Sequence, residues 1–295
     1  MGTNRNLLIL KLYIKPILIS LFLGLSYFGF QIFKSLVVRV DFSKVPFVLV
    51  LDFIYYNLGW LVSIIIPLMF LFSTIYVFGQ LSYDSIYEEF KYERHKFSYF
   101  VVLIGIPTLI LSLILYYHND HILSEYNFRT KNISLQLQRL SQLQSVEVVP
   151  EIDSSPLRSE REMDINTLKQ KLNYLHVKKE KEKGRKKVYY DYLDKEIIQV
   201  KNEIQKRYAF SFSPLFFVLL ALSIGYLLQN KKSTPLLFIG LVVIVFYWFG
   251  ILLVDKISNK INPFLIWLPN VAYLFIGIIL FFKASSKFNK HLTVK

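Results

Sequence analysis

The sequence predicts an all-α integral membrane protein with six transmembrane helices, arranged three and three around a mostly helical polar insert. Of its 295 residues, 54% are hydrophobic and 17% are aromatic, which exceeds the usual content of a soluble domain. The apolar residues gather in six nearly uncharged runs, each long enough to cross a ~30 Å hydrocarbon core as a helix. One long polar stretch separates the third run from the fourth.

The first three runs belong to a region that we place at residues 1–117. A basic lead-in with Lys11 and Lys15 precedes the first run, and no small-residue cleavage site follows it, so we expect a spanning helix rather than a signal peptide. The second run is longer than a bilayer requires, which predicts tilt or protrusion. The three spans are predicted at residues 16–38, 45–78 and 97–117.

A short polar segment at residues 79–96 joins the second span to the third. It is rich in charged side chains, so it cannot lie in hydrocarbon. Its apolar residues Leu81, Ile86 and Phe90 recur at roughly helical spacing. We therefore predict an amphipathic helix on the cytoplasmic face that couples the membrane helices to a partner.

The polar insert is predicted at residues 118–207. Asp164 is suited to cap a helix with apolar residues along one face, at Ile165, Leu168, Leu172 and Leu175. A second, heptad-like stripe follows and predicts a helix that continues into the fourth span. Its members are Tyr190, Leu193, Ile197, Val200 and Ile204.

The remaining three spans fall in residues 208–295, at 208–229, 235–254 and 262–282. Their connections are short, so neighbouring helices must be antiparallel. In the short segments, twelve Lys and Arg residues lie on the side of the N-terminus and five on the other. The positive-inside rule then predicts both termini in the cytoplasm and the insert outside.

Composition and motifs exclude several kinds of chemistry. The chain has no cysteine, so it has no disulfide and no thiolate site, and it has no GxxxxGK[ST] phosphate loop. Any ATP must therefore be hydrolysed by another subunit, and we expect no cofactor here. The spans lack a Ser, His and acid set, so we do not expect an enzyme.

The net charge of the chain is +14. The basic residues lie mainly at membrane boundaries and in the insert, which favours anionic lipid over nucleic acid as the partner.

Three groups of polar residues are open to more than one interpretation. His118 and His121 beside Asp120 have metal-ligand spacing, but we interpret them as an interfacial cap. Lys34 and Arg39, at the outer end of the first span, are suited to bind a lipid phosphate or, equally, to reach ordinary headgroups. Glu88 and Glu89 either contact a basic site on a partner ATPase or form a solvated helix face.

Four short motifs, in order along the chain, resemble those of the lipopolysaccharide-export permease family LptF/LptG, also called YjgP/YjgQ. Residues 79–85 (GQLSYDS) are similar to its G-x-L-S-x-D-S-E, and residues 119–127 (NDHILSEYN) to its N-D-x-x-x-P-x-x-N. Residues 205–210 (QKRYAF) and 267–270 (WLPN) complete the set. Each motif is short, but together they cover both membrane halves.

The resemblance implies a non-catalytic permease subunit in the inner membrane of a diderm bacterium. Its partners would be a second LptF/LptG-type permease and a cytoplasmic ATPase of the LptB type, which together extract lipopolysaccharide or another lipid. Lys34 falls where the family carries a basic residue, and with Arg39 it forms the expected lipid site. The expected ATPase-coupling residues are Ser82, Asp84, Ser85, Glu88, Glu89 and Phe90.

Two departures from the family pattern change these expectations. Ile86 stands where the family has an acidic residue, so an ion pair to the ATPase would shift to Glu88 or Glu89. The stretch between Arg129 and Asp164 is too short for the eight strands of the family's external jellyroll, so we expect helical or partly disordered segments there. Transfer to a periplasmic protein of the LptC or LptA type stays open.

Two other functions also stay open. One is a membrane scaffold that does not itself carry lipid, and the other is a lipid-modifying enzyme.

Overall fold

The computed structural model describes residues 3–39, 45–81, 97–142, 158–182, 187–228 and 233–293. This part of the chain contains no β-strand, and six of its helices are long and apolar enough to cross a membrane. The predicted fold class is confirmed: the protein is an all-α integral membrane protein. The α-helices are α1 (Thr3–Arg39), α2 (Phe47–Leu81), α3 (Ser98–Tyr117), α4 (Leu123–Gln142), α5 (Ile165–Lys181), α6 (Lys187–Leu227), α7 (Ser233–Ser258) and α8 (Leu268–Thr293).

Helix α6 is the central element of the fold. Its 41 residues make it about 60 Å long, twice the thickness of a bilayer core, and it packs against α2, α3, α5 and α8. The predicted continuation of the insert helix into the fourth span is therefore confirmed. Pro214 lies inside α6 and cannot donate to the carbonyl of Phe210. The hydroxyl of Ser213 donates to that carbonyl at 2.8 Å instead, as a helix in lipid requires.

The third span also passes directly into the insert. After α3, a π-helical turn at His118–Ile122 leads without a break into α4. Helix α4 then packs along the first half of α2, where Val50, Ile133 and Leu137 form a buried cluster with Leu36 of α1. The second apolar run exceeds the length of a span because its first half supports the insert.

The rest of the described insert is a hairpin of α5 and the first half of α6. Asp164 caps α5 as predicted, since its carboxylate accepts a 2.7 Å hydrogen bond from the Thr167 backbone N–H. The two predicted apolar stripes meet in one buried cluster. Its buried members are Leu168, Leu175, Leu193, Ile197, Val200 and Ile204. In the described residues, the insert is helical, as expected in place of a jellyroll.

Aromatic side chains close the opposite end of the bundle. Phe97, at the start of α3, is only 1% exposed and lies 5.1 Å from the ring of Tyr226 and 5.9 Å from that of Phe288. Tyr13 of α1 belongs to the same cluster. The described chain stops at Leu81 at this end of the bundle and resumes at Phe97. The aromatic contacts hold Phe97 in place.

Glycines allow close contact between α6 and its neighbours. A Cβ atom on Gly225 would lie 2.7 Å from the Cβ of Phe78 and 2.8 Å from the carbonyl oxygen of Ile75. The backbones of α2 and α6 touch here, and such contacts stabilise helix pairs in membranes through dispersion forces. By contrast, a Cβ atom on Gly105 of α3 would meet no atom within 4 Å apart from the adjacent backbone of its own helix.

We expect Gly225→Ala to destabilise the bundle by about 1–3 kcal/mol, because backbone cannot move aside as a flexible side chain does. The thermal unfolding midpoint of the detergent-solubilised chain measures this. Gly105→Ala is the matched control and should leave the midpoint unchanged or raise it slightly. Equal midpoints for the two variants would contradict the close crossing of α2 and α6.

Candidate functional site

A buried polar network surrounds α6 at the level where its apolar half begins. It joins α2, the π-helical turn, α4, α5 and α6, and we call it the α6 junction. Its side chains are Ser63, Asn119, Asp120, Ser124, Arg207 and Ser211, and each is at most 6% exposed. So many buried polar groups in one layer are stable only when they are paired.

The π-helical turn brings two neighbouring side chains into this layer. A π turn holds more residues than an α turn, and both Asn119 and Asp120 are buried. The side-chain oxygen of Asn119 accepts a hydrogen bond from Ser63 of α2 at 2.5 Å, and its amide donates to Ser211 of α6 at 2.9 Å. Asn119 thus connects three spanning helices.

Asp120 connects the spans to the insert. Its carboxylate accepts a 2.6 Å hydrogen bond from the backbone N–H of Ile165, the first residue of α5. A negative charge at that position also interacts favourably with the helix dipole of α5. The same carboxylate oxygen lies 3.4 Å from the guanidinium of Arg207, and both side chains are about 5% exposed.

Arg207 satisfies backbone groups of the insert as well. Its guanidinium donates to the Ser124 hydroxyl at 2.9 Å and to the carbonyls of Glu160 and Arg161 at 3.2 and 3.3 Å. The planar guanidinium of arginine has several N–H donors in fixed directions, so it can reach acceptors on different elements. A lysine ammonium cannot replace it in this role. One side chain of α6 therefore holds α4, the turn before α5 and the π turn together.

Helices α7 and α8, and a 3-10 turn between them at Pro263–Trp267, contact α6 at the same level. The Asn270 amide donates to the Ala209 carbonyl at 2.8 Å and its oxygen accepts from Tyr247 at 2.8 Å. The Trp267 indole donates to Gln205 at 2.9 Å. Residues of three of the four sequence motifs, far apart in the chain, thus contact this part of α6.

This arrangement joins parts of the protein that are distant in the chain. The ionised pair is enclosed, and its hydrogen-bonding groups are directed at other residues of the chain. Within the described residues, no three His, Cys, Asp or Glu side chains converge on a metal site. His121 remains 45% exposed beside Asp120. The α6 junction connects the insert to the spans through side-chain hydrogen bonds.

The predicted lipid-contact residues lie on α1. Lys34 is exposed, near the end of α1 that approaches the insert. Arg39 is the last residue of α1, and its side chain lies outside the described part of the structure. The structure does not bring Lys34 to the α6 junction, because α1 packs mainly on α2.

The predicted coupling residues, Ser82, Asp84, Ser85, Glu88, Glu89 and Phe90, fall between the described ranges 45–81 and 97–142. Only the anchors of this segment are described, namely α2 before it and Phe97 after it. Both anchors lie at the end of the bundle opposite the insert.

The comparison with family models returns a match to "Lipopolysaccharide export system permease LptF/LptG" over residues 107–283, more than half of the chain. The chain belongs to the LptF/LptG family. It is thus a multi-pass inner-membrane protein and a permease component of the lipopolysaccharide export system. The matched region contains Asn119, Asp120, Arg207 and Asn270, so most of the α6 junction lies within it. The comparison with curated proteins found no match.

Sequence reasoning located the family motifs but did not predict that they form one network. The sequence does contain a signal for it, since Ser63, Asn119 and Ser211 are polar residues inside or beside apolar runs. Which of them pair depends on helix contacts between residues 56 and 92 positions apart. Local spacing cannot supply that information.

We expect Arg207→Met to loosen the insert, because it leaves the Asp120 carboxylate buried without its cation. Breaking a buried pair on one side costs about 3–5 kcal/mol. Limited proteolysis of residues 158–164 in the detergent-solubilised chain should become faster, with a lower unfolding midpoint.

Arg129→Met is the control for this experiment. The ion pair of Arg129 with Glu125 is 2.8 Å long but about half exposed, so its loss should change stability by less than about 1 kcal/mol. If both variants were cleaved at the rate of the unchanged protein, the α6 junction would not hold the insert.

The cap of α5 should make local stability depend on pH. Hydrogen bonds from the side chain and backbone N–H of Thr167 lower the pKa of Asp164 below its ordinary value. This stabilisation is present above the pKa of the unfolded state and is lost as pH falls through the folded pKa. Asp164→Ala should cost about 1 kcal/mol near neutral pH, and less in acid. Hydrogen exchange of the Thr167 amide measures the difference, and a cost that did not change with pH would contradict an ionised cap.

Proposed function

We propose that this chain is a membrane subunit that extracts lipid from the inner membrane with energy from a separate ATPase. The observation that carries the proposal is the LptF/LptG family match over residues 107–283. The six spanning helices agree with it. The sequence has no phosphate loop of the GxxxxGK[ST] type, which supports ATP hydrolysis by a partner. A second permease subunit of the same family would complete the transport path.

The surroundings of Lys34 support a contact with lipid. Its neighbours on α1 are large and exposed: Phe30 at 63%, Phe33 at 58% and Val37 at 50%. A single cation in an apolar stripe suits a molecule with an anionic headgroup and acyl chains. Arg39 would add a second cation at the end of the same helix.

The position of residues 79–96 supports ATPase coupling. The chain enters this segment from α2 and leaves it at the buried Phe97, so a push on the segment would act directly on α2 and α3. Helix α2 contacts α6 closely at Gly225 and again through Ser63 and Asn119. Movement at the coupling end would thus reach the insert through rigid helices.

The orientation follows from the charge distribution. We place both termini and the coupling segment in the cytoplasm, with the insert on the other side, because Lys and Arg are concentrated in the short segments of that side. In the fold, Tyr13, Phe97 and Phe288 lie at one end of the bundle. The opposite end carries Asn119, Asp120 and Arg207.

Affinity purification from native membranes in mild detergent tests the proposal, with mass spectrometry of both co-purifying proteins and bound lipids. We expect an ABC-type ATPase, a second six-span permease and a glycolipid containing lipid A. Absence of an ATPase, in conditions that preserve a control ABC transporter, would overturn the proposal. A scaffold function would then take its place.

We expect Glu88→Lys and Glu89→Lys to lower ATPase recovery about tenfold or more, because a reversed charge repels a basic docking site. The second permease should still co-purify, since the surfaces inside the membrane are unchanged.

We expect Lys34→Gln to reduce the amount of glycolipid bound to the purified chain. Lys15→Gln, at an exposed lysine near the other end of α1, should not. Equal lipid recovery from both lysine variants would remove Lys34 from the lipid site.

A further inference from the structure

Among the described residues, the hairpin of α5 and α6 carries large apolar side chains that are exposed. Four large apolar side chains are exposed there: Tyr174 at 62%, Val177 at 53%, Val188 at 79% and Tyr192 at 59%. We call these four residues the hairpin face. The buried stripes of both helices already pack against each other, so the hairpin face has no role in the core.

The hairpin face has one pair of residues on each helix. Tyr174 and Val177 are three residues apart on α5, and Val188 and Tyr192 are four apart on α6, so each pair shares a helix side. The Nζ atom of Lys178 lies 5.8 Å from the ring centroid of Tyr174 and 5.9 Å from that of Tyr189. Lys178 thus connects α5 to α6 on the side that carries Tyr174.

The membrane that holds the spans does not reach this surface. Helix α6 is unbroken from Lys187 to Leu227, and Lys187 precedes Arg207 of the α6 junction by twenty residues, or about 30 Å of helix. The hairpin face is therefore exposed to water, where a patch of this kind marks an interaction site.

The charge beside the hairpin face indicates the chemistry of its partner. The described residues of this stretch, 178–182 and 187, contain four Lys and two Glu, and Lys181 and Lys187 are exposed. An acidic partner complements this charge, whereas the same face of a second copy would bring two basic segments together.

We propose that the hairpin face docks an acidic protein partner, with Tyr174 and Tyr192 as its apolar anchors and lysines at its rim. Tyrosines surrounded by charged residues are typical of the centres of protein interfaces. A phosphorylated glycan would pair with the lysines but would not bury the two valines. This inference does not rest on the proposed transport function.

Site-specific photocrosslinking in the full chain, in native membranes, tests the proposal. A photoreactive benzoylphenylalanine replaces Tyr192, and mass spectrometry identifies the adduct after illumination. We expect one protein, linked through a surface with more Asp and Glu than Lys and Arg. Val177→Ser combined with Lys181→Glu should lower the adduct yield about fivefold or more, because it removes an apolar contact and reverses a rim charge.

The matched control combines His176→Ser with Lys169→Glu. Both residues are exposed on α5, but their helical positions turn them away from Tyr174, so the yield should stay within about twofold. An adduct with a glycolipid or with a second copy would overturn the proposal, as would equal losses in the two double variants. If the Val177 and Lys181 variant does not accumulate, Tyr174→Ser alone gives the same comparison.

Discussion

The Arg207 guanidinium, buried where α6 passes from the insert into the apolar bundle, is the interaction on which this architecture depends. An unpaired buried charge is very costly, so the surrounding chain must supply acceptors. It does so through the Asp120 carboxylate, the Ser124 hydroxyl and two carbonyls of the turn before α5. The orientation of the insert follows from that requirement. Buried pairs of this kind contribute little net stability but strongly disfavour other arrangements.

The same layer explains how an all-helical insert is attached without a domain linker. Helices α3 and α6 both cross into the insert without a break, and α2 extends beside α4. Each of these connections is a rigid helix rather than a loop. A displacement of the spans would therefore become a displacement of the hairpin, with Asn119 and Asp120 fixing the angle between them.

The described part of the insert is helical, whereas the family resemblance implied a jellyroll. In the described residues, the insert is built from α4, α5 and α6, with their apolar stripes as its core. A hairpin of this size buries one side and leaves the other free. The exposed tyrosines and valines of the hairpin face are on that free side, which is why the hairpin is a candidate for partner binding.

The sequence by itself determined the fold class, the number of spans, the α5 cap at Asp164 and the hairpin core. Each of these depends on local hydrophobic periodicity or on residues a few positions apart. The coupling segment and the lipid site at Lys34 and Arg39 also came from the sequence, and they remain predictions. Tertiary structure alone decided the α6 junction, where Ser63, Asn119, Asp120, Arg207 and Ser211 meet. Their contacts join distant parts of the chain, and a buried polar group is assigned its partner by helix packing, which short-range spacing does not specify.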